Sequence, residues 1–417
     1  MEGNMHTSTS RPIPAALIAA SLAVAIPVPA RANVITDWDV NAVAIVPPSA
    51  AGLREMAIMH VAMFDAVNSI DRRYRPYVVQ LAASEATSQE AAATSAAAGV
   101  LIGLHPEAAA QIQAASASAL AEIPEGEAKA NALALGKAVA EKILSVRSKD
   151  GANAPDDYCP KTKPGVYVPT PTVMVGSTWP RMTPFALTSP SQFRAPPPIL
   201  LTSSEWAANY NELKEFGGKN SAKRSAQQTE TARFWLAVGP PAYHQIPRQL
   251  VTAKQMSVVE SARFMALYSI ALTDASIAVF DAKYHYEFWR PVTAIRNGDI
   301  DDNPATEREP TWQPIDSTPM HPEYPCAHCI QSGAAAGVIE AVLGSQEIPE
   351  VTMMSTTAPG VTHRWSNTAA YTEEVANARI WAGFHYRFST RVGMEMGRKI
   401  GEYVVKNVMQ PVVTSSR

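Results

Sequence analysis

At 417 residues the chain is long enough for one or two domains with a large buried core. Hydrophobic residues make up 47% and charged residues 18% of the sequence, a balance typical of globular proteins and unlike that of disordered chains. The formal net charge of −3 excludes a non-specific nucleic-acid binder, which needs clustered Lys and Arg. Three cysteines are too few for a disulfide-based scaffold.

Residues 1–32 have the pattern of a secretory signal peptide. Arg11 supplies the basic start, residues 15–26 are apolar, and Ala30-Arg31-Ala32 resembles a cleavage site. The apolar stretch is too short to cross a membrane as a helix. We therefore expect an exported protein, periplasmic or secreted, with no integral membrane span.

The rest of the chain predicts an all-α fold with two bundle-like helical halves. An irregular lead-in is expected at 33–48. The predicted helices after it span about 52–68, 87–104, 107–121, 126–147, 204–216, 222–237, 249–272, 274–289, 326–343 and 370–408. Thr87 and Ser204 are the predicted N-caps of the second and fifth of these helices. Proline is dense in the long connecting loop between the halves. The predicted units are an N-terminal bundle at 33–149, a Pro-rich wrap-around loop at 150–202 and a C-terminal bundle at 203–417.

Two cations in an aromatic setting form the first candidate site segment. Lys283 and Arg290 are seven residues apart, which on a helix is about two turns, so both are expected on one face. Like charges repel there unless an anion lies between them. Surface cations would be the ordinary explanation, but neighbours such as Trp289 disfavour a solvated face.

The second segment, 321–329, reads HPEYPCAHC and precedes an apolar, small-residue run. Its prolines keep it out of a helix, so His321 and His328 are expected on a rigid loop that leads into a helix N-terminus. Unpaired N–H groups at such a terminus attract anions. The third segment carries Arg379 and His385 six residues apart, so one of the two should lie at a helix end or kink. Together the segments predict a pocket for a tetrahedral, phosphate-like oxyanion.

These motifs resemble the three-part signature shared by vanadium-dependent haloperoxidases and type 2 phosphatidic acid phosphatases. Lys283 to Arg290-Pro291, Pro325-Cys326-Ala327-His328, and Arg379 to His385 match it in order and spacing. The context resembles the soluble, bacterial haloperoxidase-like branch. The family usually has Ser-Gly at Cys326-Ala327, and often an acid where this chain has Ser389.

The resemblance implies a role for each site residue. Lys283, Arg290 and Arg379, with Cys326 and Ala327, would bind the oxygens of vanadate, or of phosphate in a phosphatase. His385 would ligate vanadium or act as the nucleophile, and His328 would be the acid–base group. Lys283 would also polarise peroxide, while His321 and Trp289 would lie near the halide.

The favoured prediction is a haloperoxidase-like enzyme that uses vanadate, hydrogen peroxide, halide and an organic acceptor. The alternative is an exported acid phosphatase that acts on a phosphomonoester through a phospho-histidine at His385. A thiol-redox protein using Cys326 and Cys329, or a non-catalytic anion-binding member, also remains open. No nucleic-acid partner is expected, and a homo-oligomer is possible.

Overall fold

The computed structural model describes residues 1–3, 33–169 and 174–412, and Ala32–Arg417 form one compact unit. Almost all of the predicted signal peptide lies outside the described residues. The first five helices are α1 (Val34–Val43), α2 (Ala50–Asp71), α3 (Gln89–Leu104), α4 (Ala109–Ala121) and α5 (Glu127–Arg147). Nine more follow: α6 (Ser204–Gly217), α7 (Ala226–Phe234), α8 (Pro240–Tyr243), α9 (Gln245–Ala253), α10 (Val258–Tyr286), α11 (Pro291–Arg296), α12 (Ala327–Leu343), α13 (Thr368–Trp381) and α14 (Arg387–Asn407). The predicted all-α class is confirmed.

The long helix α10 forms the centre of the core. A capping box between Ser257 and Glu260 fixes its start, and Glu287, in the left-handed region at φ 49°, ends it. The predicted break near residue 273 is wrong, because the helix runs without interruption through all 29 positions and Thr273 and Asp274 are buried within it. In the described part of the chain, α10 alone is long and apolar enough to cross a membrane, and its apolar window is entirely buried inside the protein.

The lead-in predicted as irregular is in fact helix α1, whose N-cap Asn33 accepts a hydrogen bond from the Ile35 N–H. Asp39 of α1 is fully buried and accepts hydrogen bonds from His60 of α2 and from His244 and Arg248 of the α8–α9 region. This buried carboxylate ties three elements together. The predicted N-caps Thr87 and Ser204 are each off by one residue, since the side chains that cap these helices are Ser88 and Ser203.

Helices α12 and α14 pack backbone to backbone. A Cβ at Gly397 would lie 2.0 Å from the Ile330 oxygen, and one at Gly333 would lie 2.3 Å from the Met394 oxygen. Glycine is therefore required for this close approach. The predicted single helix at 370–408 is wrong: α13 ends at Trp381 and α14 begins at Arg387, which leaves a five-residue connection.

The described parts of the Pro-rich loop lie against α10. The backbone N–H groups of Phe185, Ala186 and Leu187 donate to Asp274, and Arg194 forms two hydrogen bonds with Asp281. The division of the chain at 149 and 202 into bundle, loop and bundle remains our proposal.

One antiparallel hairpin interrupts the helices and was not predicted. It consists of β1 (Glu347–Ser355) and β2 (Ala358–Asn367), with Thr352 opposite Arg364. Irregular register and a polar, proline-containing sequence hide the alternation that marks a half-buried strand. The hairpin follows α12 and leads directly into α13, the helix that carries Arg379.

Candidate oxyanion site

Three chain segments meet in the interior and bring five predicted side chains together. Lys283 lies in the last turn of α10, Arg290 is the N-cap residue of α11, and Arg379 lies in the last turn of α13. His328 lies in the first turn of α12, and His385 in the connection between α13 and α14. Their exposed fractions are at most 7%. No charged member of the set reaches bulk water.

Lys283 is fully buried among backbone carbonyls. Its Nζ donates to the carbonyl oxygens of Pro322 at 2.8 Å and Glu323 at 2.7 Å. These two bonds hold the ammonium group against the backbone of the 321–326 segment. Burial, reinforced by the charge of Arg290, lowers the pKa of Lys283 well below its usual range.

Arg290 spans the site from the loop to the histidines. Its Nε donates to the His321 carbonyl and its Nη1 to the Phe384 carbonyl. Nη1 also lies 3.3 Å from Nε2 of His385, and Nη2 lies 2.9 Å from Nδ1 of His321. Burial lowers the pKa of Arg290 to about 10, so the guanidinium stays charged at neutral pH. Lys283 and Arg290 were predicted on one helix face, but α10 ends between them, so that prediction is wrong.

Arg379 completes the group of cations. Its Nη1 donates to the Trp235 carbonyl, and its buried Nε has no hydrogen-bond partner. Burial lowers the pKa of Arg379 to about 9. In the described ranges, none of Lys283, Arg290 and Arg379 forms a salt bridge with a carboxylate. Buried cations that lack a direct carboxylate partner, together with an unpaired guanidinium N–H, form a site that an oxyanion would satisfy.

His385 is oriented by an acid that sequence reasoning missed. Its Nδ1 lies 2.7 Å from Oε1 of Glu323, which also accepts a hydrogen bond from the Tyr386 N–H. Both side chains are buried. Because Nδ1 faces an acceptor and Nε2 faces a guanidinium donor, the lone pair of the neutral imidazole is at Nε2. Burial and the nearby cations lower the pKa of His385 well below its usual range.

Glu323 lies inside the HPEYP motif, between Pro322 and Tyr324. An acid in a loop expected to be buried was the signal that could have found it. Burial raises the pKa of Glu323 to about 7, against the lowering effect of Lys283 and Arg290. It supplies the acid that the family pattern led us to seek at Ser389.

His328 has the opposite orientation at the other side of the cavity. Its Nε2 lies 3.0 Å from the Ala237 carbonyl, which can only accept, so Nε2 carries the proton and Nδ1 is unprotonated. Burial, with the charge of Arg379, lowers the pKa of His328 well below its usual range. A neutral imidazole with a free Nδ1 can accept a proton from a bound reactant.

The two residues predicted near the halide lie in different places. His321 lines the cavity, with its ring edge-on to Phe280 at 5.4 Å between centroids. Trp289 is buried, and its ring stacks on Trp206 at 5.9 Å. It is not among the cavity-lining side chains of the described chain, because it belongs to an aromatic cluster of the core. Lys283 and Arg290 are likewise not among the lining residues, so the placement of Trp289 beside the halide stays a prediction.

Cys326 and Cys329 are joined by a disulfide bond, and both are fully buried. The Cys326 sulfur accepts a hydrogen bond from the Cys329 N–H and caps α12. A half-cystine sulfur carries no hydrogen, so Cys326 cannot donate to an oxyanion as the family's serine does. Ala327 lines the cavity at the helix start. Burial of both sulfurs also shields them from thiol partners in solution.

The cavity has a volume of about 400 Å³ and an apolar mouth. His321, His328, Arg379 and His385 form part of its wall, and the apolar part includes Val175, Leu236, Val238, Val279, Phe280 and Phe384. A small polar group within apolar walls is typical of ligand sites.

Comparison with known proteins agrees with this geometry. Residues 263–414, which contain all three motifs, match the VCPO second helical-bundle domain. The family resemblance stated from the sequence is confirmed.

The chain is also 31% identical over 180 residues to the vanadium chloroperoxidase of Curvularia inaequalis. That match covers 35% of this chain and 29% of the fungal protein. Solved structures show the same fold over most of the chain. A bacterial vanadium-dependent iodoperoxidase has a TM-score of 0.76 at 24% identity, with 92% of this chain and 97% of that one covered. The holo form of a bacterial vanadium-dependent chloroperoxidase has a TM-score of 0.71 at 18% identity, covering 87% and 93%.

Proposed function

We propose that this protein is a vanadate-dependent haloperoxidase that oxidises halide with hydrogen peroxide. The observation that carries the proposal is the grouping of three buried cations, none in a salt bridge with a carboxylate, around His385. Nη1 of Arg290 lies 3.3 Å from Nε2 of His385, and burial and the charges of all three cations lower the pKa of this histidine. Such a charge arrangement needs a bound anion. Vanadate is favoured by the family of the C-terminal segment and by the vanadium proteins that share the fold.

The residues of the site fit vanadate well. Lys283, Arg290 and Arg379 would hold its oxygens, and Nε2 of His385 would bind vanadium. Ala327 offers backbone close to the anion, whereas Cys326 acts by capping α12. When bound, vanadate supplies a Lewis acid that activates hydrogen peroxide towards halide.

The side chains around the anion divide the remaining tasks. Glu323 holds the proton on Nδ1 of His385 and so keeps Nε2 basic. His328 accepts a proton at Nδ1 when a reactant enters the cavity. Lys283 has one ammonium N–H beyond those bound to the Pro322 and Glu323 carbonyls, and a hydrogen bond from it to a ligand oxygen would draw electron density from that oxygen. His321 borders the cavity where halide would enter, and the apolar walls would hold an organic acceptor.

Acid phosphatase activity is the second candidate, because the unprotonated Nε2 of His385 is also a nucleophile for phosphorus. A tetrahedral phosphate would use the same three cations, and His328 would protonate the leaving group only after Nδ1 had taken up a proton. The thiol-redox alternative is disfavoured by the buried disulfide. We also retain export to the periplasm or medium, through residues 1–32, as a proposal.

Paired assays on the purified protein test the two activities. Bromide- and peroxide-dependent halogenation of a phenol dye should rise and saturate as orthovanadate is added, and His385→Ala should abolish it. Hydrolysis of p-nitrophenyl phosphate, inhibited by orthovanadate, would instead establish the phosphatase. Saturable binding of orthovanadate with neither activity would identify a non-catalytic member. Absence of binding would refute an oxyanion site altogether.

A further inference from the structure

A short backbone segment contacts two of the site residues at once. The segment 233–237 runs from the last turn of α7 into the connection that follows this helix. The Trp235 carbonyl accepts a hydrogen bond from Arg379, and the Ala237 carbonyl, two residues on, accepts one from Nε2 of His328. Leu236 lies between them and lines the cavity. The direction of this segment therefore fixes both a cation and an acid–base group.

The turn of the hairpin, residues 355–357, holds the start of that segment. The Ser355 hydroxyl donates to the Phe234 carbonyl at 2.6 Å. The Thr357 hydroxyl donates to the Arg233 carbonyl at 2.8 Å and lies 3.2 Å from that of Phe234. These carbonyls lie at the end of α7, where helical partners run out. The two hydroxyls occupy positions that water would otherwise take.

A second connection joins the body of the hairpin to the same segment. Glu374 of α13 accepts hydrogen bonds from the indole N–H groups of Trp235 and Trp365. It also lies 2.7 Å from Nδ1 of His363, whose ring stacks on Phe234 at 3.9 Å between centroids. Glu374 and Arg379 belong to the same helix, so strand β2, the segment and α13 form one connected unit.

We propose that the hairpin is a positioning element of the oxyanion site, with Ser355 as its main positioning residue. Through the segment 233–237 the hairpin sets the direction of the Arg379 guanidinium. Through the same segment it determines that the proton of His328 is on Nε2. The hairpin contributes no catalytic group itself. The proposal deepens the function proposed above and rests on it for the identity of the ligand. Its physical basis is that a guanidinium grips an oxyanion well only when its N–H fork has the right direction.

The variant Ser355→Ala removes the hydroxyl that holds Phe234 without touching the cavity wall. We expect its affinity for orthovanadate, measured by calorimetric titration, to fall about 10-fold, the size of effect seen when partners one shell from a ligand site are lost. Ser345→Ala is the matched control, because Ser345 caps the opposite end of the hairpin through the Glu347 N–H. Its affinity should equal that of the wild type. Thr357 also lines the cavity, so Ser355, which does not, is the residue at which the positioning role is tested.

A second measurement does not depend on vanadate. In protein labelled with ¹⁵N-histidine, His328 should show a proton on Nε2, and Ser355→Ala should shift or broaden that signal while Ser345→Ala leaves it unchanged. Orthovanadate affinity and a His328 signal that both remain unchanged in Ser355→Ala would overturn the positioning role. If the wild type binds no orthovanadate, the proposed function fails, and the His328 signal alone then decides for or against the positioning role. If Ser355→Ala and Ser345→Ala both lose orthovanadate affinity to the same extent, the positioning role of Ser355 is also refuted.

Discussion

Oε1 of Glu323 accepts a hydrogen bond from Nδ1 of His385 at 2.7 Å, although 62 positions separate the two residues in the chain. The contact is possible because the loop before α12 and the connection before α14 meet where those two helices pack together. It directs the lone pair of His385 towards the cations. The pair therefore both joins two segments of the fold and orients the histidine of the proposed reaction.

Replacing Glu323 should separate anion attraction from histidine chemistry. Glu323→Gln removes a negative charge beside Lys283 and Arg290, so sulfate, which keeps its charge across the neutral range, should bind more tightly. The same change makes His385 less basic, so vanadate-dependent bromide oxidation should fall about 10-fold. Calorimetric titration and steady-state assays measure the two effects, with Glu347→Gln on the hairpin as control. A parallel fall in both would show that Glu323 acts on stability alone.

Replacing the guanidinium of Arg379 by an ammonium should abolish most of the stabilisation of the folded state by anions. A ligand at 100 times its dissociation constant stabilises the folded state by about 2.7 kcal/mol. Arg379→Lys keeps the charge but loses Nε and the bidentate geometry, so the rise in melting temperature with phosphate or orthovanadate should largely disappear. The control is Arg387→Lys, which alters an arginine bound to Glu212 instead. An undiminished rise in Arg379→Lys would place the anion elsewhere.

The disulfide should contribute stability rather than chemistry. Opening so short a loop should lower the free energy of unfolding by roughly 2 kcal/mol, by the entropy of loop closure. The double variant Cys326→Ser/Cys329→Ala restores a hydroxyl at the N-cap of α12, so orthovanadate affinity should be kept or improved. Denaturant unfolding and calorimetry measure the two quantities. Loss of halogenation in this variant despite normal vanadate binding would revive a redox role for the sulfurs.

Protonation of His385 in the unfolded chain should oppose folding in acid. Glu323, whose pKa burial raises to about 7, takes up a proton in the folded state over the same range and acts in the opposite direction, so the contribution of His385 is read from a comparison of variants. The pKa of His385 is lowered by burial and by nearby cations from its ordinary value of 6.5, so the folded protein keeps this ring neutral where the unfolded chain takes up a proton. The stabilisation is complete above pH 6.5 and is lost as the pH falls below it. The free energy of unfolding should decrease by up to about 1.4 kcal/mol per pH unit for this group.

Urea unfolding between pH 7 and 5 measures that slope. His385→Gln should show a smaller decrease than the wild type, since it removes the titrating group. The exposed His285 gives the control, and His285→Gln should follow the wild type. Identical slopes for all three proteins would mean that His385 is protonated in the folded state.

The sequence predicted the site better than it predicted the elements around it. The three motifs grouped Lys283, Arg290, Arg379, His328 and His385 in one site, and the structure brings these side chains together. The shared helix face inferred from the spacing of Lys283 and Arg290 was wrong, because α10 ends between them. The hairpin was missed, since its contacts with α7 and α9 come from distant residues such as Gln249. Glu323 was overlooked because its partner lies in another motif, and only the folded chain shows which acid meets which histidine.

The absent side chain at Gly397 has a consequence for variation in this protein. Gly397 lies three turns into α14, where added bulk would meet the Ile330 backbone just after His328. Any larger residue there would separate the two helices at the turn of α12 that follows His328. A substitution that contacts no reactant can therefore impair the reaction. Harmful substitutions are expected along the interface of α12 and α14 as well as inside the cavity.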